Sequence, residues 1–293
     1  MDMVRSRRRH SVNSAAAKLK GFFLAVFATL TGAICATSAA SEPVDIPYGA
    51  LTLHGTLYRP AGAGPFPAVV ALHDCGGILQ RPQTAALLYN EWANHLLQAG
   101  FVVLFPDSFG SRGLGSQCRE QNRRVRASRE RVGDANAARR WLQTQPYVKA
   151  DRISLLGWSN GGTTALWTTR RNAATQDGSP DFRSAVALYP RCDRLLKTAW
   201  SARVPTLILI GSADDWTLAS VCQRMVAGAK GRSAHTEIIV YPDAHHEFDR
   251  ANSPVRLRTG LVNTANPSGA AHGGTDPAAR SDAFKRVPQW LER

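Results

Sequence analysis

The sequence predicts an α/β fold, in which a doubly wound, mostly parallel sheet of about eight strands carries helices on both faces. Short apolar runs that do not alternate with polar residues are typical of strands buried on both sides, and segments with helical periodicity separate these runs. The runs are residues 68–72, 101–105, 153–156, 185–188, 206–210 and 238–241. With 44% hydrophobic and 20% charged residues in a chain of 293, the composition excludes a disordered, collagen-like or coiled-coil protein.

The first 40 residues predict a secretory signal peptide that is not part of the fold. Six basic residues precede an apolar run over residues 21–36, and Ser38 and Ala40 are the small residues of a cleavage site before Ser41. The run is shorter than the roughly 20 residues that a membrane-spanning helix needs. We therefore expect a secreted or periplasmic protein with no stable membrane span after processing, and a retained N-terminal anchor is the alternative.

The formal net charge of +14 raises the question of a nucleic acid or an anionic surface as partner. Residues 1–40 contain six of the 36 basic residues and one acid, so their removal leaves a charge of +9. The densest arginine cluster, residues 119–131, also contains Glu120 and Glu130 and lacks aromatic residues that could stack on bases. We therefore predict a solvated surface and no nucleic-acid partner. A non-catalytic basic binding protein on the same scaffold is the alternative.

Four cysteines follow the predicted signal peptide, an even number that permits disulfides in an exported chain. We predict the pairs Cys75–Cys118 and Cys192–Cys222, because each pair would join neighbouring loops of the predicted fold. Four free, mostly buried thiols are the alternative. The spacing of cysteine and histidine residues matches no zinc motif, and the sequence predicts neither a metal nor a cofactor.

Residues 41–293 predict one α/β domain with no internal repeat and no linker. Apolar and polar residues alternate at 51–57, after a short strand near 44–48, which indicates an antiparallel start of the sheet. The remaining elements are helices at residues 85–99, 126–142 and 277–291, and loops at 107–125 and 251–276.

The strongest chemical signal is Gly-Trp-Ser-Asn-Gly-Gly at residues 157–162, between the strand 153–156 and a helical segment at 163–169. A strand, a sharp turn and a helix are the context in which the pattern G-x-S-x-G forms a nucleophile elbow. Glycines admit the strained turn without steric collision, and the helix N-terminus directs amides at developing negative charge. Ser159 is the predicted nucleophile, and an ordinary glycine-rich turn is the alternative.

A serine hydroxyl needs a base, and the sequence supplies an acid and a base in the expected order. Acidic residues follow the next-to-last predicted strand of the sheet, and histidines follow the last one. We predict Asp214 as the acid that orients the base, and Asp215 as a residue that caps or turns the following segment. We predict His246 as the base, and His245 as a histidine at the surface or behind the base. A set of turn residues that never meet is the alternative.

Small residues after the strand 68–72 predict an oxyanion hole. The sequence His-Asp-Cys-Gly-Gly at residues 73–77 lets the backbone approach a substrate closely. The predicted donors are the backbone amides of Cys75 and Asn160, the second of which directly follows the nucleophile. For Cys75 a structural or disulfide role is preferred to that of a nucleophile.

Four segments together resemble the dienelactone hydrolase family of the α/β-hydrolase fold. They are residues 157–162, 211–214 and 244–248, and the loop 106–113. The resemblance extends over residues 45–293 and implies that fold, with a small-molecule ester or lactone as substrate.

The resemblance also implies roles for individual residues. Ser159, Asp214 and His246 correspond to the catalytic triad, and the amides of Cys75 and Asn160 to the oxyanion donors. This assignment agrees with the order and the strand-end positions described above. The chemistry implied is acyl transfer to the serine followed by hydrolysis of the acyl-enzyme.

Founding members of the family carry cysteine where this chain has Ser159, so the serine favours a serine carboxylesterase. They also bind a substrate carboxylate through two arginines, of which Arg250 matches one and Arg112 matches the other within about one position. Asp74 and Trp158 are expected beside the substrate. Solvent-exposed or ion-paired arginines are the alternative, and a serine peptidase is the alternative activity. The sequence predicts no oligomeric state.

Overall fold

A sheet of eight strands forms the centre of the computed structural model, which describes residues 41–78, 84–173 and 178–293. The predicted signal peptide, residues 1–40, lies outside the described residues. The strands of the sheet are β1 (Ser41–Tyr48), β2 (Leu51–Tyr58), β3 (Phe66–Leu72), β4 (Val102–Pro106), β5 (Val148–Trp158), β6 (Ala185–Leu188), β7 (Thr206–Gly211) and β8 (Thr236–Tyr241).

The strands lie in the order β1-β2-β4-β3-β5-β6-β7-β8. β1 pairs antiparallel with β2, and β2 pairs antiparallel with β4, whereas the other neighbouring strands are parallel. The predicted fold class, a mostly parallel α/β sheet with an antiparallel start, is confirmed. Because parallel strands end at one edge of a sheet, the loops after β3, β5, β7 and β8 gather at that edge.

Six α-helices are found in the described residues, and none of them is both long and apolar enough to cross a bilayer. They are α1 (Thr84–Gln98), α2 (Glu130–Gln143), α3 (Asn160–Thr168), α4 (Asp193–Lys197), α5 (Ala219–Ala229) and α6 (Pro277–Leu291). The last one has the boundaries that the sequence predicts. Its start is fixed by Asp276, whose side chain accepts the backbone N–H of Ala279 at 2.8 Å, and by a proline in the first turn.

The segment 251–276, predicted as a loop, contains two further strands. β9 (Arg256–Arg258) pairs antiparallel with β10 (Ala271–Gly273) in a separate two-stranded sheet. The prediction was wrong here because strands of three residues are too short to show an alternating pattern. β10 also forms an isolated parallel bridge between Gly273 and His246. The small sheet therefore contacts the turn that follows β8.

Successive residues of the central strands point to opposite faces of the sheet, and each face has its own apolar cluster. In β3, Val69 and Ala71 pack with α1, α4, α5 and α6 on one face. The alternate residues Ala68, Val70 and Leu72 pack with α2 on the other face. Complete burial of each large apolar side chain contributes about 1.5–3 kcal/mol. The two clusters hold the sheet rigid beneath its carboxyl edge.

Two disulfides connect loops at this edge, with the pairing that the sequence favours. Cys75 at the end of β3 is bonded to Cys118, and Cys192 before α4 is bonded to Cys222 in α5. The carbonyl oxygen of Cys75 also accepts the backbone N–H of Gln117 at 2.7 Å. The two bonds close loops of about 40 and about 30 residues. Each bond lowers the conformational entropy of the unfolded chain, which stabilises the folded state by roughly 4 kcal/mol.

Candidate active site

The chain passes from β5 into α3 through one residue, Ser159, whose backbone has φ +50° and ψ −110°. This conformation costs on the order of 1–3 kcal/mol for a residue with a side chain. A Cβ on Gly157 would lie 2.3 Å from the carbonyl oxygen of Gly161, and one on Gly161 would lie 1.9 Å from that of Leu72. The turn therefore requires glycine at both positions of the G-x-S-x-G pattern.

Three side chains from three loops form a continuous row of hydrogen bonds at the sheet edge. Oγ of Ser159 lies 3.0 Å from Nε2 of His246, and Nδ1 of His246 lies 2.8 Å from Oδ2 of Asp214. Because a carboxylate only accepts, Nδ1 carries the proton and Nε2 accepts the serine hydroxyl. Ser159, His246 and Asp214 are 8%, 1% and 2% exposed. The structure brings together all three residues predicted as nucleophile, base and acid.

The carboxylate of Asp214 is held by four donors, of which the histidine is one. The backbone N–H groups of Trp216 and Thr217 donate to Oδ1 at 3.0 and 2.8 Å, and the Thr217 hydroxyl donates to Oδ2 at 2.9 Å. Asp214 thus caps the segment after β7, the role that was predicted for Asp215. That prediction was wrong, because Asp215 accepts the backbone N–H of His272 at 2.7 Å and lies 2.8 Å from its Nδ1.

The ring of His246 is fixed by two aromatic neighbours. The ring centroids of Tyr189 and Trp216 lie 4.5 and 4.7 Å from it. The adjacent His245 points elsewhere, with Nδ1 at 2.9 Å from the carbonyl oxygen of Ala213, and it takes no part in the row. The choice of His246 over His245 therefore agrees with the geometry.

A buried carboxylate, Asp249, connects the groups beneath the site. It accepts the indole N–H groups of Trp92 and Trp158 at 2.8 and 2.9 Å and the hydroxyl of Tyr189 at 2.7 Å. Burial raises the pKa of Asp249 above its ordinary value. Trp158 was predicted to contact substrate. The structure places its fully buried side chain on Asp249 instead, so Trp158 supports the floor of the site.

The two predicted oxyanion donors, Cys75 and Asn160, line the same cavity as Ser159. Behind them lies Arg131, a fully buried guanidinium. It donates to the side-chain oxygen of Asn160 at 2.6 Å and to the carbonyl oxygen of His73 at 2.8 Å. Burial lowers the pKa of Arg131 to about 10, so it stays charged at neutral pH. Arg131 ties the end of β3 to the start of α3 and adds positive potential there.

Arg250 and Asp74, both predicted beside the substrate, are engaged with each other. Nη2 of Arg250 lies 3.2 Å from Oδ2 of Asp74, and Nε lies 3.0 Å from Oε2 of Glu247. Oδ1 of Asp74 accepts the backbone N–H of Gly76 at 2.7 Å. Arg250 and Asp74 border a second cavity and not the one that Ser159 lines. Arg250 therefore serves as a buried ion-pair partner.

Arg112 is placed away from the nucleophile as well. Its guanidinium forms a two-pronged pair with Asp134 at 2.7 and 3.0 Å and donates to the carbonyl oxygen of Ser108 at 2.7 Å. The side chain of Asp134 is fully buried. The prediction that Arg112 binds a substrate carboxylate was wrong, because an internal carboxylate occupies its fork and its side chain does not line the cavity beside Ser159.

The cavity beside Ser159 has a volume of about 300 Å³. Arg123 and Arg191 line it together with Trp167 and Trp216, and these residues were missed at the sequence level. Arg191 pairs with Asp193 at 2.8 Å, whereas Arg123 donates to the carbonyl oxygen of Gln117 at 2.8 Å. The long loop 107–125 was the available signal, because it supplies Arg123. The pattern of charges within that loop did not show which arginine lines the cavity.

This chain resembles known hydrolases in sequence and in fold. The model of the dienelactone hydrolase family matches residues 53–293. A probable 2-oxo-3-(5-oxofuran-2-ylidene)propanoate lactonase from Bradyrhizobium is 25% identical over 237 residues, covering 77% of this chain and 92% of its own. A probable dipeptidyl-aminopeptidase B from Pyrenophora teres f. teres is 28% identical over 220 residues, covering 63% of this chain and 23% of its own.

A dienelactone hydrolase from Anabaena variabilis has a crystal structure that matches this fold with a TM-score of 0.59 at 18% identity. The match covers 87% of this chain and 97% of that one. The structural likeness shows a shared α/β-hydrolase fold, and the family model covers most of the sequence. The chain therefore belongs to the dienelactone hydrolase family of carboxylic ester hydrolases.

Proposed function

We propose that this protein hydrolyses a carboxylic ester or a lactone by transferring the acyl group to Ser159. The observation that carries the proposal is the row of hydrogen bonds from Ser159 to His246 at 3.0 Å and on to Asp214 at 2.8 Å, at a strained strand-to-helix turn. A base within hydrogen-bond reach of a serine hydroxyl is what turns that weak nucleophile into a reactive one.

In the first half-reaction, His246 takes the proton from Ser159 as Oγ attacks the substrate carbonyl carbon. The electron pair of the C=O bond moves to its oxygen, and the amides of Cys75 and Asn160, which line the same cavity, would donate to that oxyanion. When the tetrahedral intermediate collapses, the C–O bond to the leaving group breaks, and His246 returns the proton to the departing oxygen. In a lactone, that oxygen stays attached to the acyl chain.

In the second half-reaction, His246 takes a proton from a water molecule, which attacks the acyl-enzyme. Collapse of the second tetrahedral intermediate breaks the bond between the acyl carbon and Oγ, and His246 returns the proton to Oγ. A carboxylic acid leaves, and the hydroxyl of Ser159 and the neutral His246 are restored. Asp214 fixes the Nδ1–H tautomer throughout and stabilises the imidazolium that forms in each step. The buried position of both side chains keeps water from weakening that interaction.

The lining of the cavity supports a substrate that carries a negative charge. Burial lowers the pKa of Arg123 to about 10, which still leaves it cationic at neutral pH. A guanidinium in the wall of the cavity that Ser159 lines suits a carboxylate on the acyl or the alcohol part of an ester, because its planar fork donates to both carboxylate oxygens. The propanoate in the name of the Bradyrhizobium relative is consistent with such a substrate.

A serine peptidase is the second candidate, and the similarity to dipeptidyl-aminopeptidase B favours it. Ester hydrolysis ranks first because the matched family is that of the dienelactone hydrolases, and because this chain covers 23% of the peptidase's length. Peptide p-nitroanilides separate the two activities, since a peptidase cleaves them and a simple esterase does not.

Export from the cytosol is also part of the proposal. The basic, apolar and small segments within residues 1–40 support it. The two disulfides support it as well, because such bonds persist in oxidising compartments. Cell fractionation with N-terminal sequencing of the mature protein tests this part. A mature protein that begins at Ser41 outside the cytosol is expected, and an unprocessed cytosolic protein would contradict it.

The central experiment combines labelling with kinetics. A fluorophosphonate probe should label Ser159, and Ser159→Ala should abolish labelling and lower kcat for p-nitrophenyl butyrate by at least about a thousandfold, since the serine cannot be replaced in acyl transfer. Ser128→Ala is the matched control, because Ser128 lines the same cavity without contacting the row and should retain both signals. Labelling of another residue, or full activity of Ser159→Ala, would overturn the mechanism.

A further inference from the structure

A second cluster of metal-ligating side chains lies next to the triad and plays no part in the chemistry described above. We propose that Asp215, His245 and His272 form a binding site for a divalent cation of the zinc class. Their candidate ligand atoms all lie within 4.8 Å of one another, and they form the one such group of three in the part of the chain that the structure describes. Two histidines and one carboxylate are a common ligand set for zinc.

One of the two histidines, His245, is oriented as metal ligands are. A ligating imidazole usually donates its second ring N–H to a carbonyl or a carboxylate, which leaves the other nitrogen free for the metal. Nδ1 of His245 lies 2.9 Å from the carbonyl oxygen of Ala213, so its Nε2 is the nitrogen left to bind a cation. The ring centroids of His245 and His272 lie 5.5 Å apart, and the two ring planes are tilted by 41°.

The third side chain supplies the charge. Oδ1 of Asp215 is fixed by the backbone N–H of His272 at 2.7 Å, and Oδ2 lies 2.8 Å from the Nδ1 of that residue. About 40% of each side chain is exposed, 42% for His272 and 39% for Asp215, which provides a path for an ion from solvent. Ligand atoms on a tetrahedral zinc, each about 2.0–2.1 Å from the ion, lie roughly 3.3 Å apart. Small side-chain rotations would close the present cluster to that spacing.

The three ligands come from the segments that carry the triad. Asp215 directly follows the acid Asp214, and His245 directly precedes the base His246. His272 precedes Gly273, which forms a β-bridge with His246. The carbonyl oxygen of His246 also accepts the backbone N–H of Gly274 at 2.9 Å. A bound cation would therefore clamp the turns after β7 and β8 to β10. Its role is to hold these turns together, since Asp215, His245 and His272 do not line the cavity beside Ser159.

Isothermal titration calorimetry of zinc binding to the EDTA-treated full-length protein tests the site. We expect one zinc ion per chain with a Kd in the micromolar range or below. At a free zinc concentration of about 100 Kd, linkage should raise the thermal midpoint by roughly 5 °C or more. His272→Ala and Asp215→Asn should each raise Kd at least about tenfold, as loss of a ligand does. Asp215→Asn keeps an acceptor for the backbone N–H of His272 and so preserves the local fold.

The matched control is His54→Ala. Nδ1 of His54 lies 2.7 Å from Oδ1 of Asp45 in a more exposed histidine–aspartate pair that is not part of a cluster of three within the described residues. This variant should bind zinc as the natural protein does. Absence of a stoichiometric site in the natural protein at zinc concentrations up to about 1 mM, or an unchanged Kd in both site variants, would overturn the proposal.

Discussion

Two histidine–aspartate pairs share the turn after β7, and they have the same N···O distance in different surroundings. In both the N···O distance is 2.8 Å, from His246 to Asp214 and from His272 to Asp215. The side chains of the first pair are 1% and 0% exposed, whereas those of the second are 42% and 39% exposed. One residue step along the turn after β7 therefore separates a buried acid from an exposed one.

The difference shows that burial, and not the contact itself, decides what such a pair does. Water competes for the exposed pair and screens it, so its net contribution is small. Asp214 has backbone and hydroxyl donors on both oxygens, which compensate its desolvation. The buried pair can therefore fix one tautomer of His246. The exposed pair has fewer supporting donors among the described residues and does not fix the tautomer of His272 in the same way.

The largest effect is expected from Asp214→Asn, which breaks the buried pair. The amide oxygen can still accept the backbone N–H groups after β7, but the amide NH2 faces His246 and favours the tautomer whose Nε2 carries the proton. We expect kcat for ester hydrolysis to fall by about 10³–10⁴-fold. Stopped-flow or steady-state kinetics on p-nitrophenyl butyrate measures this.

The control for that change is Asp243→Asn, on the neighbouring turn. Asp243 is exposed and has φ +55°, a conformation that asparagine tolerates well. This variant should retain kcat within about twofold. A loss of less than tenfold for Asp214→Asn would mean that the buried pair does not control the base.

A buried histidine that is bonded to backbone groups extends the comparison. His73 is fully buried, with Nδ1 at 2.8 Å from the carbonyl oxygen of Asp74 and Nε2 accepting the backbone N–H of Ser108 at 3.2 Å. Burial, together with the charge of Arg131, lowers its pKa well below the usual 6.5. The folded state thus binds fewer protons than the unfolded state, so this contribution to stability is complete above pH 6.5 and is lost as the pH falls.

The expected slope is about 1.4 kcal/mol of unfolding free energy per pH unit below that value. His73→Gln removes the titrating group, and its urea-unfolding curves between pH 7.5 and 5 should show a slope smaller by this amount. The measurements at pH 7.5 separate the loss of packing in the variant from the pH effect. Parallel curves for the two proteins would contradict the argument.

Arg123 is intermediate in burial between the two pairs, since it is partly buried in the wall of the cavity beside Ser159. If it pairs with a carboxylate on the substrate, Arg123→Gln should lower kcat/KM for mono-4-nitrophenyl succinate about tenfold, equivalent to about 1.4 kcal/mol. The uncharged p-nitrophenyl butyrate should change by less than about twofold. Arg224→Gln, at an exposed position of α5, is the matched control. Equal losses on both esters would show that Arg123 acts through structure and not through charge recognition.

The smallest effect concerns the exposed pair itself. A double-mutant cycle on Asp215 and His272 in EDTA-containing buffer, measured by urea unfolding, should give a coupling energy of about 0.2–1 kcal/mol. A coupling above about 2 kcal/mol would mean that the pair is protected from solvent in a way that its exposure does not indicate. The contrast with the buried pair would then lose its physical basis.

Much of the fold follows from local patterns. The six continuous apolar runs all correspond to strands of the sheet, because strands buried on both faces contain little else. α5 was missed although Cys222, Met225 and Ala229 recur at helical spacing on its buried side. The five-residue helix α4 and the strands β9 and β10 are shorter than any period that a pattern can reveal.

The row of Ser159, Asp214 and His246 could be predicted because parallel strands bring their carboxyl ends together, so chain order alone places these residues at one edge. The arginines could not be assigned in this way. Whether Arg112 or Arg250 faces a substrate or an internal carboxylate depends on distant residues such as Asp134 and Glu247. The cluster of Asp215, His245 and His272 could not be predicted from the sequence either. Its members are some 30 residues apart along the chain, and this spacing matches no metal-binding motif.

Arg131 affects how the two predicted amide donors would bind the oxyanion. One guanidinium bonds to the strand end that leads to Cys75 and to the side chain of Asn160, so both amides are positioned from a common reference. The distance between the two amides is therefore fixed when the chain folds, and the amides do not have to rearrange in each catalytic cycle. The reorganisation energy of the two dipoles is paid before any substrate arrives, which is the condition under which fixed dipoles accelerate a reaction most effectively.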